Sequence, residues 1–411
     1  MNKKIAKILN DLESSDADVR CEAVKQAWDH KRASEELVPV LFRRLNDSAI
    51  KVRSMATVAL ARLATSQNLA QVINAFVKIL RNKSEDSGVR SWAASGLDQI
   101  GVSSLPVLIE LMKDDDEFVQ RKVAHAIGVI GVYQEEALRA IVEAMDSADP
   151  DFRGTCFGSL EAFGMKAVPS LLRVVDHGSP RQVAGAARAI LRTKLRYNSD
   201  RKVRAGAATA HGLMSRMSLA IEEQKRAQVR CKKNAIVQQC ILHLIEILQT
   251  KDAPATEDAL TALADCGPLA IGAIESIIPL VRHADATIRH SAVFALGEID
   301  SGEKVLSALV QAAREERDEE MCCWILNHIS PFGKRAASAV PVLTKRLKDR
   351  RELVRVTAAS VLGDIGSAAR GTLPLLRSLL KKCSDEEFQG VYRTAISHIA
   401  PRKASGMIGS R

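Results

Sequence analysis

Apolar residues along this chain recur at two length scales. Over short stretches they fall at i, i+3, i+4 and i+7, the pattern of a helix with one buried stripe. Over longer stretches a whole segment returns. It reads Val52-Arg53-Ser54-Met55-Ala56-Thr57-Val58-Ala59-Leu60, then Val89-Arg90-Ser91-Trp92-Ala93-Ala94 through Leu97 to Gly101, then Val354-Arg355-Val356-Thr357-Ala358-Ala359 through Leu362 to Gly366. Looser copies start at Val19-Arg20, Val119-Gln120, Phe152-Arg153, Ile288-Arg289, Met321-Cys322 and Phe388-Gln389. The steps from Arg20 to Arg153 are 33, 37, 30 and 33 residues, and those from Arg289 to Gln389 are 33, 33 and 34. A self-similar period of this size marks stacked supersecondary units.

A second apolar segment precedes each copy: Leu37 to Leu41, Leu105 to Leu108, Val168 to Leu172, Val340 to Leu343 and Leu373 to Leu376, each with a proline at its second or third position. Proline is tolerated in a helix's first turn, where the missing amide would be unpaired anyway. Aspartates follow in a short turn, at Asp47, Asp114 to Asp116, Asp146, Asp349 and Asp385, where they favour both the turn and the cap of the next helix. Glycines at 101, 131, 164, 333 and 366 supply the left-handed residue that ends that helix. Each unit therefore reads as helix A, turn, helix B, turn. One such pair cannot cover its own stripe, whereas stacked pairs share a core. The expected fold is all-α, a right-handed α-α superhelix of about eleven or twelve helical hairpins, with helices A convex and helices B concave.

The L-P-x-L segments, the Asp turn and the V-R-x-x-A-A-x-x-L-G-x-I-G segments resemble the HEAT-repeat family, above all its short-period bacterial type, seen also in phycobilisome-lyase-like proteins. The resemblance covers about residues 5–400. It implies a ladder in which the turn Asp and the helix B Arg hydrogen-bond between neighbouring repeats. Arg20, Arg53, Arg90, Arg153, Arg289 and Arg355 match the Arg position, with Asp47 and Asp349 among the turn acids. Gln120, Cys322 and Gln389 depart from it, so the ladder is expected to break there. Thr256 takes the same position ahead of Gly267.

The register fails in the centre. Residues 1–196 and 234–401 read as two runs of repeats, 197–233 as an irregular basic repeat or insertion, and 402–411 as a flexible tail. Charge follows the same division. Residues 1–187 carry a net charge of −1, residues 188–233 +10, residues 234–333 −9 and residues 334–411 +10. Arg188, Arg192 and Arg196 are spaced to line one helix face, and Arg201, Lys202 and Arg204 follow. Like charges at i, i+4 weaken a helix, so their concentration suggests an acidic partner or the acidic stretch within the chain.

Composition narrows the function classes. Hydrophobic residues make up 46% and charged residues 26% of the 411, too apolar for a disordered chain, while aromatics are only 4%. No apolar run reads as a membrane span and the N-terminus does not read as a signal peptide, which leads to the expectation of a cytoplasmic protein without membrane insertion. The eight cysteines include no C-x-x-C pair and read as buried, reduced thiols. No P-loop, G-x-S-x-G or H-E-x-x-H occurs, and His125, His290, His328 and His398 fall at different offsets of helix B, so neither a metal nor a cofactor is expected. No histidine precedes a glutamate, unlike the paired His-Glu steps of the HEAT-like deoxyhypusine hydroxylases. Bilin-lyase-like and DNA-glycosylase-like HEAT enzymes remain a second alternative. The reading favoured by the residues is a non-catalytic scaffold or adaptor that holds a protein partner on its concave face. Candidate contacts are Trp92, Trp324, Arg188, Arg192, Arg196, Arg201, Lys202 and Arg204. The first alternative is nucleic-acid or other polyanion binding through 188–233 and 334–411. The sequence leaves the partner's identity and the oligomeric state open.

Overall fold

The computed structural model describes the backbone of residues 3–206, 234–300 and 302–400, and the side chains of these apart from 195–206. Every regular element among the described residues is a helix, and the fold class is the all-α superhelix, with six described hairpins up to residue 206 and five from residue 235 on. The irregular segment expected at 197–233 lies outside the described residues from 207 onward, as does the expected tail at 402–411. The chain divides into two units, Met1–Thr193 and Lys194–Arg411, and the division falls inside the helix Pro180–Gly206.

In the first unit the A helices are Lys3–Leu12, Ser34–Arg44, Leu69–Arg81, Leu105–Leu111, Glu135–Ala144 and Val168–His177. They alternate with the B helices Ala17–Ala27, Ile50–Leu63, Ser87–Ile100, Glu117–Ile130, Pro150–Ala162 and Pro180–Gly206. The second unit has A helices Ala235–Ile247, Ile274–Ile277, Glu303–Glu315, Val340–Arg346 and Leu373–Lys382. Its B helices are Ala253–Cys266, Ala286–Ile299, Glu319–Ile329, Glu352–Ile365 and Glu386–Ile399.

Seven residues after eight of the Arg positions stands a large core side chain: Leu60, Leu97, Ile127 and Leu160 in the first unit, and Leu263, Leu296, Ile329 and Leu362 in the second, all at 0% exposure. Burying one such side chain stabilises by about 1.5–3 kcal/mol, and each is covered by the neighbouring hairpin as well as its own. Within each unit the B helices pack against one another more closely than the A helices do. A stack that is tighter on one side curves toward that side, so the B row is the inner face of each unit. Small residues permit the approach: a Cβ on Gly363 would stand 2.9 Å from the Cα of Ala395.

The turns differ in detail from their sequence reading. Asp16, Asp86, Asp116, Asp149, Asp252, Asp285, Asp318 and Asp385 cap B helices by accepting from backbone amides of the first turn. Asp47 and Asp349 do not. They accept from the amides of Ala49 and Arg351, two residues on, and so fold the turn ahead of the helix. Asp146 likewise lies ahead of the cap, which is Asp149. Pro106, Pro169, Pro341 and Pro374 open their A helices, whereas Pro39 lies inside Ser34–Arg44. Gly131 ends its helix in the left-handed region, but Gly101 (φ 81°, ψ −141°) and Gly366 (φ 73°, ψ −133°) occupy a region that is essentially glycine-only.

One expectation needs correction. The stretch Ala253–Arg282 is long and apolar enough to cross a membrane by composition. It is nonetheless interrupted at Gly267 (φ 54°, ψ −137°) and half of its apolar window is buried, so it forms a B helix, a turn and the next A helix.

The Gly363 contact yields a direct test. Gly363→Ala forces two helix backbones apart and is expected to destabilise the second unit by about 1–3 kcal/mol, read as a lower Tm by circular dichroism.

Candidate functional site

The Arg position does two jobs. At five of the six arginines Nη1 donates to the carbonyls six and five residues earlier, stapling the turn of its own hairpin; Arg90 instead donates from Nε to the Leu80 carbonyl. Arg20 reaches Ser14 and Ser15 (both 2.9 Å), Arg53 reaches Asp47 and Ser48 (2.8 and 3.2 Å), and Arg153 reaches Ser147 and Ala148 (3.2 and 3.0 Å). Arg289 and Arg355 repeat the pattern at His283 and Ala284, and at Asp349 and Arg350. The second job is a link to the acid in the next turn: Arg20 to Asp47 at 2.7 Å, Arg53 to Glu85 at 2.7 Å, Arg289 to Glu316 at 3.2 Å, and Arg90 to Asp116. Arg355 instead pairs with Glu352 of its own helix at 3.4 Å.

The departures from Arg behave differently from one another. Gln120 and Gln389 each keep one staple, to the Asp114 and Cys383 carbonyls at 2.7 and 2.8 Å. Cys322 can make none. There the following repeat reaches back, with Arg346 donating to the Glu316 carbonyl at 2.7 Å and Arg351 to the Arg317 carbonyl. These are the two carbonyls an arginine at 322 would have taken. Arg351 and Arg346 also hold Asp349, at 2.9 and 3.2 Å, and the Arg351 guanidinium keeps that carboxyl far below the usual carboxylate range. Burial pushes the Cys322 thiol up to about 11.

The candidate contact residues are scattered over both units. In the first, Arg188 lies over the Phe157 ring at 4.9 Å and Arg192 pairs with Glu161 at 3.1 Å. Arg196, Arg201, Lys202 and Arg204 lie past Thr193, in the part of the helix Pro180–Gly206 that falls in the second unit, with side chains outside the described residues. Trp92 is 41% exposed on Ser87–Ile100. A groove of about 480 Å³ in the same unit is lined by Phe118, Arg121, Lys122, His125 and Thr155. Arg90 lies over the Phe118 ring at 4.4 Å and Lys122 at 5.4 Å. Asp98, one helix away, is pushed up to about 6 by burial, with the His125 charge acting in the opposite direction.

In the second unit, Trp324 anchors a set of rings that sequence reasoning missed. His290 stacks on the indole at 4.1 Å, His328 lies against it at 4.6 Å, and Phe294 meets His328 edge-on at 6.4 Å. The set is a two-by-two lattice. His290 and Phe294 are one helical turn apart on Ala286–Ile299, as are Trp324 and His328 on Glu319–Ile329. Both cross-repeat pairs are separated by 34 residues, one period. That spacing was the available signal; grouping histidines by offset alone hid it. The indole N–H of Trp324 is buried and has no hydrogen-bond partner among the described residues. Partial desolvation in the stack, and then the neighbouring His328, lower the pKa of the otherwise exposed His290, which favours its neutral form.

Residues 73–160, 105–192 and 320–397 match the family model for HEAT repeats. These stretches of the chain are HEAT repeats. No curated protein matches it. Among solved structures it is similar to an engineered protein at 20% identity (97% of this chain, 99% of that one, TM-score 0.30). It is similar to importin beta at 13% (95% and 56%, TM-score 0.47) and to the karyopherin Kap121p bound to Pho4p at 12% (97% and 50%, TM-score 0.46). The chain spans about half the length of the last two proteins.

Two pH experiments follow from the geometry. Paired with Arg20, Asp47 is held at about 2. An unfolded aspartate titrates near ~3.9, so this pair adds stability that is complete above about pH 4 and is lost as pH falls toward 2. Asp47→Ala is expected to cost the first unit about 3 kcal/mol near neutral pH and to flatten its acid dependence in urea titrations. Asp98 has the opposite sign. Its raised value makes the folded state less stable as pH rises from about 4 to 6. Asp98→Asn should raise Tm at pH 7 and change it little at pH 4.

Proposed function

We propose that this HEAT-repeat solenoid is a non-catalytic scaffold that holds a protein partner against the exposed side of its B helices. The observation that carries the reading is the placement of large rings on that side. Trp92 and Phe294 are 41% and 37% exposed, and His290 is exposed where it stacks on Trp324. Aromatic anchors supply much of the energy of protein interfaces, and a curved row of helices offers contact area without a deep pocket. The buried described cysteines suit a reducing compartment, which supports a cytoplasmic location.

The basic segment 334–411 supports polyanion binding less well than its charge suggests. Arg346, Arg351 and Arg355 in it are engaged in turn staples and ion pairs. Duplex-binding measurements at low and physiological salt test that alternative directly.

Affinity capture from the native cell, quantified for the wild type and for His290→Ala, Phe294→Ala and Trp324→Ala, tests the scaffold. A bound protein should be depleted roughly tenfold or more by these changes. It should be retained by Leu242→Ala, which alters an exposed A-helix residue. Equal capture by every variant would exclude the B-helix side as the binding surface. Phe294→Ala keeps the test valid if loss of Trp324 impairs folding, since Phe294 is exposed.

A further inference from the structure

The groove of the first unit has a chemistry that the rings of the second do not. Three nitrogen-bearing side chains of Glu117–Ile130 line it, Arg121, Lys122 and His125, with the Phe118 ring and the Thr155 hydroxyl and no carboxylate. Arg121 comes no nearer than 4.0 Å to its acidic neighbour Asp149, and the Lys122 ammonium lies over the Phe118 ring. Next to Thr155 the helix Pro150–Ala162 presents Gly154 and Gly158. A Cβ on either would meet nothing within 4 Å. Cations therefore stand beside open helix surface, a combination that lets another backbone come close while its negative side chains reach the cations.

Resting on the scaffold reading, we propose that this groove receives an extended Asp/Glu-rich segment of the partner protein. Its carboxylates meet Arg121, Lys122 and His125, and its backbone lies over Gly154 and Gly158. Charge complementarity selects an acidic occupant. The lining favours a peptide over nucleic acid: of its two rings, Phe118 is already approached by Arg90 and Lys122, and His125 alone gives no run of stacking platforms for successive bases. Crossing two or three neighbouring helices, packed about 10 Å apart, takes roughly six to eight extended residues.

The test uses the full chain and a fluorescein-labelled Asp/Glu peptide of about eight residues, read by anisotropy at low and physiological salt. Arg121→Glu with Lys122→Glu should weaken binding at least about tenfold. Gly158→Leu, which changes no charge, should weaken it several-fold by filling the open surface. Lys166→Glu, an exposed reversal in the turn that precedes Val168–His177, should leave it unchanged. The proposal is overturned if the peptide does not bind at low salt, if Gly158→Leu binds like the wild type, or if Lys166→Glu is as damaging as the groove reversal. Displacement of the peptide by a single-stranded oligonucleotide of equal charge at lower concentration would also overturn it, in favour of nucleic acid. Failure here, with capture through His290, Phe294 and Trp324 intact, removes the acidic segment and leaves the scaffold standing.

Discussion

A hairpin of two short helices leaves one apolar stripe uncovered until another hairpin lies against it. In this chain Leu97 and Leu362 are fully buried although each belongs to a helix with one side open to solvent. The seam they share with their neighbours requires helix B to approach the next helix B closely. That requirement explains the alanines at Ala93, Ala94, Ala358 and Ala359, the glycine at 363, and the inward curvature of the B row. Solvent-exposed residues of the same helices are then free to vary from repeat to repeat, from glycine at 154 and 158 to tryptophan at 92.

Polar satisfaction at the turns is the second constraint. A turn between two helices leaves carbonyls that water reaches only partly, and a long guanidinium takes two of them while still reaching the next turn. The need belongs to the carbonyls, not to position 322. When cysteine stands there, arginines at 346 and 351 supply the same donors from the following repeat. The inter-repeat link therefore reverses direction without disappearing.

The fold was legible because its period is written in apolar residues and glycines. Arg20, Arg53, Arg90 and Arg289 reach turn acids of the following repeat, of which Asp47 and Asp116 stand among the aspartates singled out in the sequence and Glu85 and Glu316 do not. Glu85 and Glu316 escaped notice because attention fell on Asp, while the longer carboxylate spans the same gap. The reverse link at Cys322 was illegible for a different reason: it uses residues outside the repeating position. The ring lattice required comparing adjacent repeats at unequal offsets, since His290 and Trp324 sit one and two residues past the Arg position. The groove at Arg121 and Lys122 was missed because charge was weighed in long blocks, and residues 1–187 average nearly to zero.

Of the three tryptophans, Trp28 and Trp92 belong to the first unit and Trp324 to the second. The second unit thus carries a single indole, stacked under an imidazole of the preceding hairpin and touched at a tilt by one of its own helix. Separation of those hairpins unstacks it at once. With Trp28 and Trp92 replaced by phenylalanine, its emission becomes an optical gauge of whether these two neighbours remain docked.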